Sequence, residues 1–198
     1  MMRVVAGLAG LAGLAASAAF AAVVLAQDES LTKPVEQSRK LALQVSQEHR
    51  SQLIKEMQLS GPLRSLLMCK YRCPEITSSQ ARKTGWKVSM VSLKPRNSAV
   101  GMADVWEQTV LADFARRLAK GEKAEVLEYA EIVSEPQGKY FRYATAILVE
   151  PLCLTCHGAS ETLPASVKAQ LAIDYPFDRA TGYSAGQVYG IVSIKRPH

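Results

Sequence analysis

Past residue 26 the chain has no uncharged apolar run long enough to cross a bilayer, which excludes a polytopic membrane protein. It has no internal repeat, so it is not a solenoid or propeller array. It has no low-complexity linker. Its 48% hydrophobic and 21% charged residues are globular values that exclude a disordered tail or a collagen-like chain. Helical and strand patterns do not alternate regularly, which argues against a parallel sheet. No paired carboxylates and no catalytic serine arrangement declare an enzyme. Acidic residues are the scarcer charge, 18 against 24 basic. The net charge of +6 is modest and spread along the chain, so it gives no ground for a nucleic-acid partner. Histidine numbers only three and cysteine only four, so any pattern that combines them carries information.

What is there begins with one apolar run. Arg3 is followed by uncharged Ala, Gly, Leu and Val residues from Val4 to Ala26, and the run ends at Gln27-Asp28-Glu29. A basic start, an apolar stretch and small residues at its end describe a secretory signal, with Val24-Leu25-Ala26 as a cleavage site. The length also admits an uncleaved membrane anchor over residues 4–26, although an Ala/Gly-rich run is weakly hydrophobic for a span. Either way the folded part is expected outside the cytoplasm, in the periplasm. Removing residues 1–26 takes one arginine away and lowers the net charge to +5.

Residues 34–58 read as a polar, amphipathic helix with Pro34 in its first turn, broken by Gly61-Pro62. A second helical piece is expected over 63–72, ending before Pro74, and a third over 75–83 with Gly85 closing it. Residues 86–90 alternate as a half-buried strand does. A helix is expected over 105–120, with Gly121 as its C-cap. Two β-prone runs, 125–133 and 139–149, flank the turn signal Glu135-Pro136-Gln137-Gly138. A helix over 164–174 and a last strand over 187–195 complete the order. Helices come first and strands mostly follow, which indicates an α+β domain with an antiparallel sheet. The divisions read as a leader over 1–26, an N-terminal helical segment over 27–61 and the main domain over 62–198.

Cys153-Leu154-Thr155-Cys156-His157 is the CxxCH signature of covalent c-type haem attachment. Two thiols at this spacing add across the two vinyl groups of one haem, and the adjacent imidazole falls beneath the iron as proximal ligand. With four cysteines and three histidines in 198 residues, chance produces this pattern on the order of one time in a thousand. A thioredoxin-like redox pair would need a βαβ setting that the sequence does not show. A zinc site would need two more ligands, which Cys69 and Cys73 could in principle supply. Gly158, next in sequence, allows close backbone approach to a flat ligand.

No methionine follows His157, so the arrangement of the helical class I cytochromes, with a downstream methionine ligand, is excluded. A sixth ligand has to come from upstream, unless the site stays open. The candidates are Cys69, Cys73, His49, Met57, Met68, Met90 and Met102, while His198 is a chain terminus. Surplus cysteines in an exported protein usually pair, but a disulfide between Cys69 and Cys73 across one helical turn demands unfavourable geometry. The two thiols are then either buried apolar cysteines or iron ligands.

Several stretches carry a wider resemblance. They are Cys69-Lys-Tyr-Arg-Cys73-Pro74-Glu75-Ile76, Gly85-Trp86-Lys87-Val88, Ser92-Leu93-Lys94-Pro95-Arg96-Asn97, Val105-Trp106-Glu107 with Leu111 and Phe114, Pro151 through Gly158, Gly182-Tyr183, and Gly186 with Gly190. Through them the chain resembles exported c-type haem domains with a PAS-like fold, a family without assigned function, over most of residues 35–195. The resemblance implies a PAS-like antiparallel sheet flanked by helices, one covalent haem, His157 as proximal iron ligand and Cys69 in the place of the family's distal cysteine. Cys73 stands where the family usually has a small residue. After Asn97 the chain departs from the family's Pro-x-Asn-x-Pro continuation.

Arg96, with Lys94 and Arg142 as further candidates, offers positive charge to haem propionates, and Tyr183 offers an aromatic contact to the haem. A solvated basic surface and a core aromatic are the plainer alternatives, and Trp86 and Trp106 read as packing residues. The function expected is periplasmic redox or ligand sensing or electron transfer, through a redox or signalling protein partner. The alternative is a haem enzyme, a peroxidase or small-molecule reductase, with a labile distal site. By fold analogy, residues 34–58 are a candidate dimerisation helix.

Overall fold

The computed structural model describes residues 29–198. The stretch read as export signal or anchor, residues 1–26, lies outside the described residues. Among the described residues no helix is long and apolar enough to cross a membrane.

The chain opens with the long helix α1, Glu29–Thr84, in two arms. Gly61 separates them with φ 73° and ψ −177°, a conformation that only glycine adopts without strain. Pro62 starts the second arm, where its missing N–H costs nothing. Ser65 Oγ donates to the Gly61 carbonyl at 2.9 Å, so the kink keeps a hydrogen bond. The sequence ended a helix before Pro74; in the structure the second arm runs through it. Proline's fixed φ is helical, so the cost is one lost N–H bond and the crowding of its ring against the Lys70 carbonyl, about 3 kcal/mol. Packing on both sides outweighs that loss. Leu66 is buried against Leu163, Val167 and Leu171, and Ile76 against the sheet.

Four antiparallel strands form one sheet in the order β1-β4-β3-β2. They are β1 Lys87–Val91, β2 Glu128–Glu135, β3 Gly138–Leu148 and β4 Val188–Pro197. Strands β2 and β3 make a tight hairpin in which Glu135 faces Gly138, as the Pro136-Gln137 turn signal led one to expect. The last strand, β4, lies between β1 and β3.

Helices cover both faces of this sheet. On one face Leu41, Ala42, Val45 and Ile76 of α1 pack on Val88, Phe141, Tyr143, Val192 and Ile194. On the other lies α3, Val105–Ala119, whose Val110, Leu111 and Phe114 pack on Val91, Ala144 and Ile191. Successive residues of a strand point to opposite faces, so β4 is buried almost continuously through Gly190–Ile194. Phe114 and Phe141 are fully buried, each contributing about 1.5–3 kcal/mol of burial. The start of α3 is set by a capping box, with Asp104 accepting from the Glu107 N–H and Glu107 accepting from the Asp104 N–H. Gly121 follows its end with φ 87°, in the C-cap role expected.

The observed architecture is thus α+β: a long N-terminal helix and a four-stranded antiparallel sheet flanked by helices. Short elements complete it: α2, Ser98–Gly101; α4, Leu154–His157; and α5, Ala165–Asp174.

Candidate functional site

The CxxCH segment follows directly on the end of β3. Pro151 opens a tight turn over Pro151–Cys153, and α4 continues it as a single helical turn. Helical winding brings the side chains of Cys153 and Cys156, three apart, to one face. Gly158 closes the turn, donating its N–H to the Leu154 carbonyl at 2.9 Å. A Cβ at this position would lie 2.6 Å from that same oxygen. The glycine is therefore required by the backbone of α4 itself, at an ordinary φ of −67°, which is a more specific reason than approach to a ligand.

His157 is held on several sides. Its Nδ1 lies 2.7 Å from the Ala180 carbonyl oxygen. A carbonyl only accepts, so Nδ1 carries the proton and Nε2 keeps a free lone pair. Burial pushes the imidazole down to about 3, with the Arg96 charge acting in the same direction. The ring is therefore neutral at any physiological pH. Tyr189 packs edge-on against it with ring centres 4.8 Å apart, and Tyr183 lies at 6.4 Å. Two backbone bonds anchor the segment, from the Gly182 N–H to the Gly158 carbonyl at 2.8 Å and from the Tyr183 N–H to the His157 carbonyl at 3.0 Å.

Arg96 ties these pieces together. Its Nη2 donates to the Cys156 carbonyl at 2.5 Å and to the Ala180 carbonyl at 3.3 Å. Its Nε donates to the Asp178 carboxylate at 3.0 Å, and both side chains are only 11% exposed. Asp178 in turn accepts the Ala180 N–H at 2.7 Å. One buried ion pair thus fixes both the CxxCH turn and the carbonyl that orients His157.

These residues line a cavity of about 770 Å³ between α1, the CxxCH turn and one end of the sheet. That is within the range of cofactor sites, about 300–1,000 Å³. Cys153, Cys156, His157 and Arg96 line it, as do Met90, Ile147 and Tyr189. Helix α1 adds His49 from its first arm and Cys69 and Cys73 from its second. The ligand atoms of these three all lie within 4.8 Å of one another. The Cys69 thiol is pushed well below its usual range by a hydrogen bond from Cys73, against burial, with His49 and the Arg96 charge helping. Cys73 is pushed up by the same bond and by burial. Burial also pushes Cys153 and Cys156 up, so both are protonated thiols. All four cysteines are unpaired. The four-cysteine zinc site considered above is not assembled, because the metal-ligating cluster among the described residues joins Cys69 and Cys73 to His49, without Cys153 or Cys156.

The structure brings Cys69, Arg96, Cys153, Cys156 and His157 to one cavity. Tyr183 is not among the lining residues; it stands behind His157, with Lys94 Nζ 4.2 Å from its ring centre. Arg142 is on the opposite face of the sheet, bound to Asp104 at 2.7 Å and to Glu107 at 3.3 Å. Met57, Met90 and Met102 also line the cavity, and Met68 does not. Tyr189, Asp178 and the Ala180 carbonyl went unnoticed in the sequence. The four-residue spacing of Cys69 and Cys73 was a readable signal, since helical residues four apart share a face. Nothing marks a backbone carbonyl in advance.

A family model described as Tll0287-like matches residues 27–197. Among solved structures, a chain described as the crystal structure of the cyanobacterial heme-protein Tll0287 is similar, with 26% identity and a TM-score of 0.58. The match covers 87% of this chain and 98% of that one. No curated protein matches.

Proposed function

The chain belongs to the Tll0287-like family, and on that premise we propose that it is an exported haem-binding protein of the c type, working in electron transfer or in redox or ligand sensing. The observation that carries this is the CxxCH turn lining a cavity of about 770 Å³ with the His157 Nε2 lone pair free. The residues present fit the group. Cys153 and Cys156 would supply two protonated thiols at the sequence spacing of the CxxCH pattern, and His157 a neutral, oriented imidazole. Cys69, on the same cavity wall, would supply a sulfur ligand to the iron.

When bound, the iron supplies one-electron chemistry. The protein's own residues do the rest. Ala180 and Arg96 hold the proximal imidazole in one tautomer and one orientation. Leu66, Met90 and Ile147 give the cavity apolar walls. With the haem bound, a Cys69 thiolate on the iron would favour the ferric state, hold the reduction potential low and slow the entry of external ligands. The leader over residues 1–26, the PAS-like class of the sheet and a periplasmic location belong to the same proposal. Its support is the signal-like composition of the leader and the extracytoplasmic setting in which CxxCH attachment takes place.

The test is spectroscopic. Protein made with a haem-maturation system is expected to give a c-type pyridine haemochrome that Cys153→Ala and Cys156→Ala weaken or abolish. Wild type is expected to show low-spin ferric iron with thiolate character, and Cys69→Ala to lose it. A negative haemochrome refutes attachment; an unchanged spectrum in Cys69→Ala refutes the distal assignment.

A further inference from the structure

We propose that Cys73, with His49, forms a donor cradle around the Cys69 sulfur and so sets how strongly that sulfur donates electrons to the iron. This rests on the assignment of Cys69 as distal ligand and goes beyond it, because it gives a task to two groups that the ligand set leaves unused.

The geometry comes first. Cys69 and Cys73 are one turn apart on the second arm of α1, so both side chains point the same way. His49 comes from the first arm, on the far side of the Gly61 kink. The three ligand atoms lie within 4.8 Å of one another, half-buried, on the wall of the cavity that also holds His157. The Cys73 thiol and the His49 imidazole are thus the donor-bearing groups gathered around the Cys69 sulfur within that distance. Other uses of the cluster fit less well. A closed structural zinc site takes four protein ligands, and three gather among the described residues. A disulfide within one helical turn requires the backbone to move, and both thiols are free.

The chemistry follows from electron density. A thiolate bound to a metal keeps lone pairs that accept hydrogen bonds, and each accepted bond draws charge off the sulfur. Less charge on sulfur weakens its preference for ferric iron, so the donors raise the reduction potential from the low value that a bare thiolate would impose. Cys73 is a positioning and tuning residue here; it does not touch the iron.

The experiment uses the purified holoprotein in redox titrations of wild type, Cys73→Ala, Cys73→Ser and His49→Ala, each with its ferric and resonance Raman spectra. Cys73→Ala is expected to keep the thiolate signature, raise the iron–sulfur stretching frequency and lower the potential. The expected size is about a tenfold change in the ferric-to-ferrous ratio at fixed ambient potential, the low end for a hydrogen bond to a charged group, which is about 59 mV for one electron. Cys73→Ser keeps an O–H donor and is expected to bring the potential back to the wild-type value or above. His49→Ala is expected to shift it in the same direction as Cys73→Ala. An unchanged potential and stretching frequency in Cys73→Ala overturns the proposal while leaving Cys69 as ligand. If the alanine variant does not accumulate, a negative shift in Cys73→Ser overturns it instead. Loss of the thiolate signature in Cys73→Ala, with its retention in Cys69→Ala, would make Cys73 the ligand and overturn it too. A wild type without thiolate character refutes the distal assignment itself, and the cradle with it.

Discussion

Replacing Arg96 by alanine removes a cation that bridges the CxxCH turn and the Asp178–Ala180 loop. The deleted guanidinium leaves the Asp178 carboxylate buried at 11% exposure and deprives the Cys156 and Ala180 carbonyls of a donor. Breaking a buried pair by removing one partner costs about 3–5 kcal/mol, because the other charge stays buried without compensation. At this chain length each kcal/mol is worth about 2–4 °C in melting temperature, so a fall of roughly 10 °C is expected. The loss should be local in its consequences as well. With Ala180 less ordered, His157 loses its fixed orientation, and high-spin iron should grow in the ferric spectrum. Urea denaturation and thermal melting of the holoprotein measure the first effect, and absorption spectroscopy the second. Arg96→Ala combined with Asp178→Asn should cost less than the sum of the two single changes, since the double variant buries no lone charge. A melting temperature within about 3 °C of wild type, or strict additivity in the double variant, would show that the pair does not carry the turn.

Three further outcomes are expected. Gly158→Ala forces a Cβ to 2.6 Å from the Leu154 oxygen, so α4 has to open and the yield of covalently attached haem should fall severalfold in a haemochrome assay; a normal yield refutes the steric reading. Phe114→Ala empties a fully buried site between α3 and the sheet and should cost about 3–5 kcal/mol in urea denaturation, with less than about 1 kcal/mol counting against the assigned core. Glu128 accepts from Arg39 Nε at 2.9 Å and from the Tyr143 hydroxyl at 2.7 Å. The Arg39 bond holds its carboxyl below the usual range, against burial. A depressed folded value means that the contribution is present above the unfolded glutamate value of about 4.3 and is lost as pH falls through the lower folded value. Stability measured from pH 6 to pH 3 should therefore fall more steeply in wild type than in Glu128→Gln, and parallel curves would exclude the linkage.

Much of the fold was legible because its elements have strong local causes. The hairpin turn at Pro136-Gln137, the strand alternation after Gly85 and the glycine past α3 are short-range signals, and each falls within a residue or two of its expected place. Pro74 was misjudged for a physical reason. Its local cost to a helix is real, but Leu66 and Ile76 fasten the helix to two separate clusters, and sequence carries no measure of that support. Tyr183, read as a haem contact or a core aromatic, has its ring 6.4 Å from that of His157 and beside the Lys94 ammonium, a placement that only the path of the 178–183 loop decides.

The amino-acid sequence alone carries the CxxCH pattern on which the proposed attachment rests, because two thiols three apart beside an imidazole are set by the order of residues and not by packing. It determined the helix-first order and the antiparallel hairpin in the same way, through local preference. Only the tertiary structure decided what surrounds that pattern. It placed Arg96, read as a partner for haem propionates or a solvated surface charge, in a buried ion pair that clamps the CxxCH turn, chose the Ala180 carbonyl to orient His157, and brought His49 across the Gly61 kink to meet Cys69 and Cys73. Those partners are far apart in the chain and meet only through packing, and no local preference of the chain encodes such meetings.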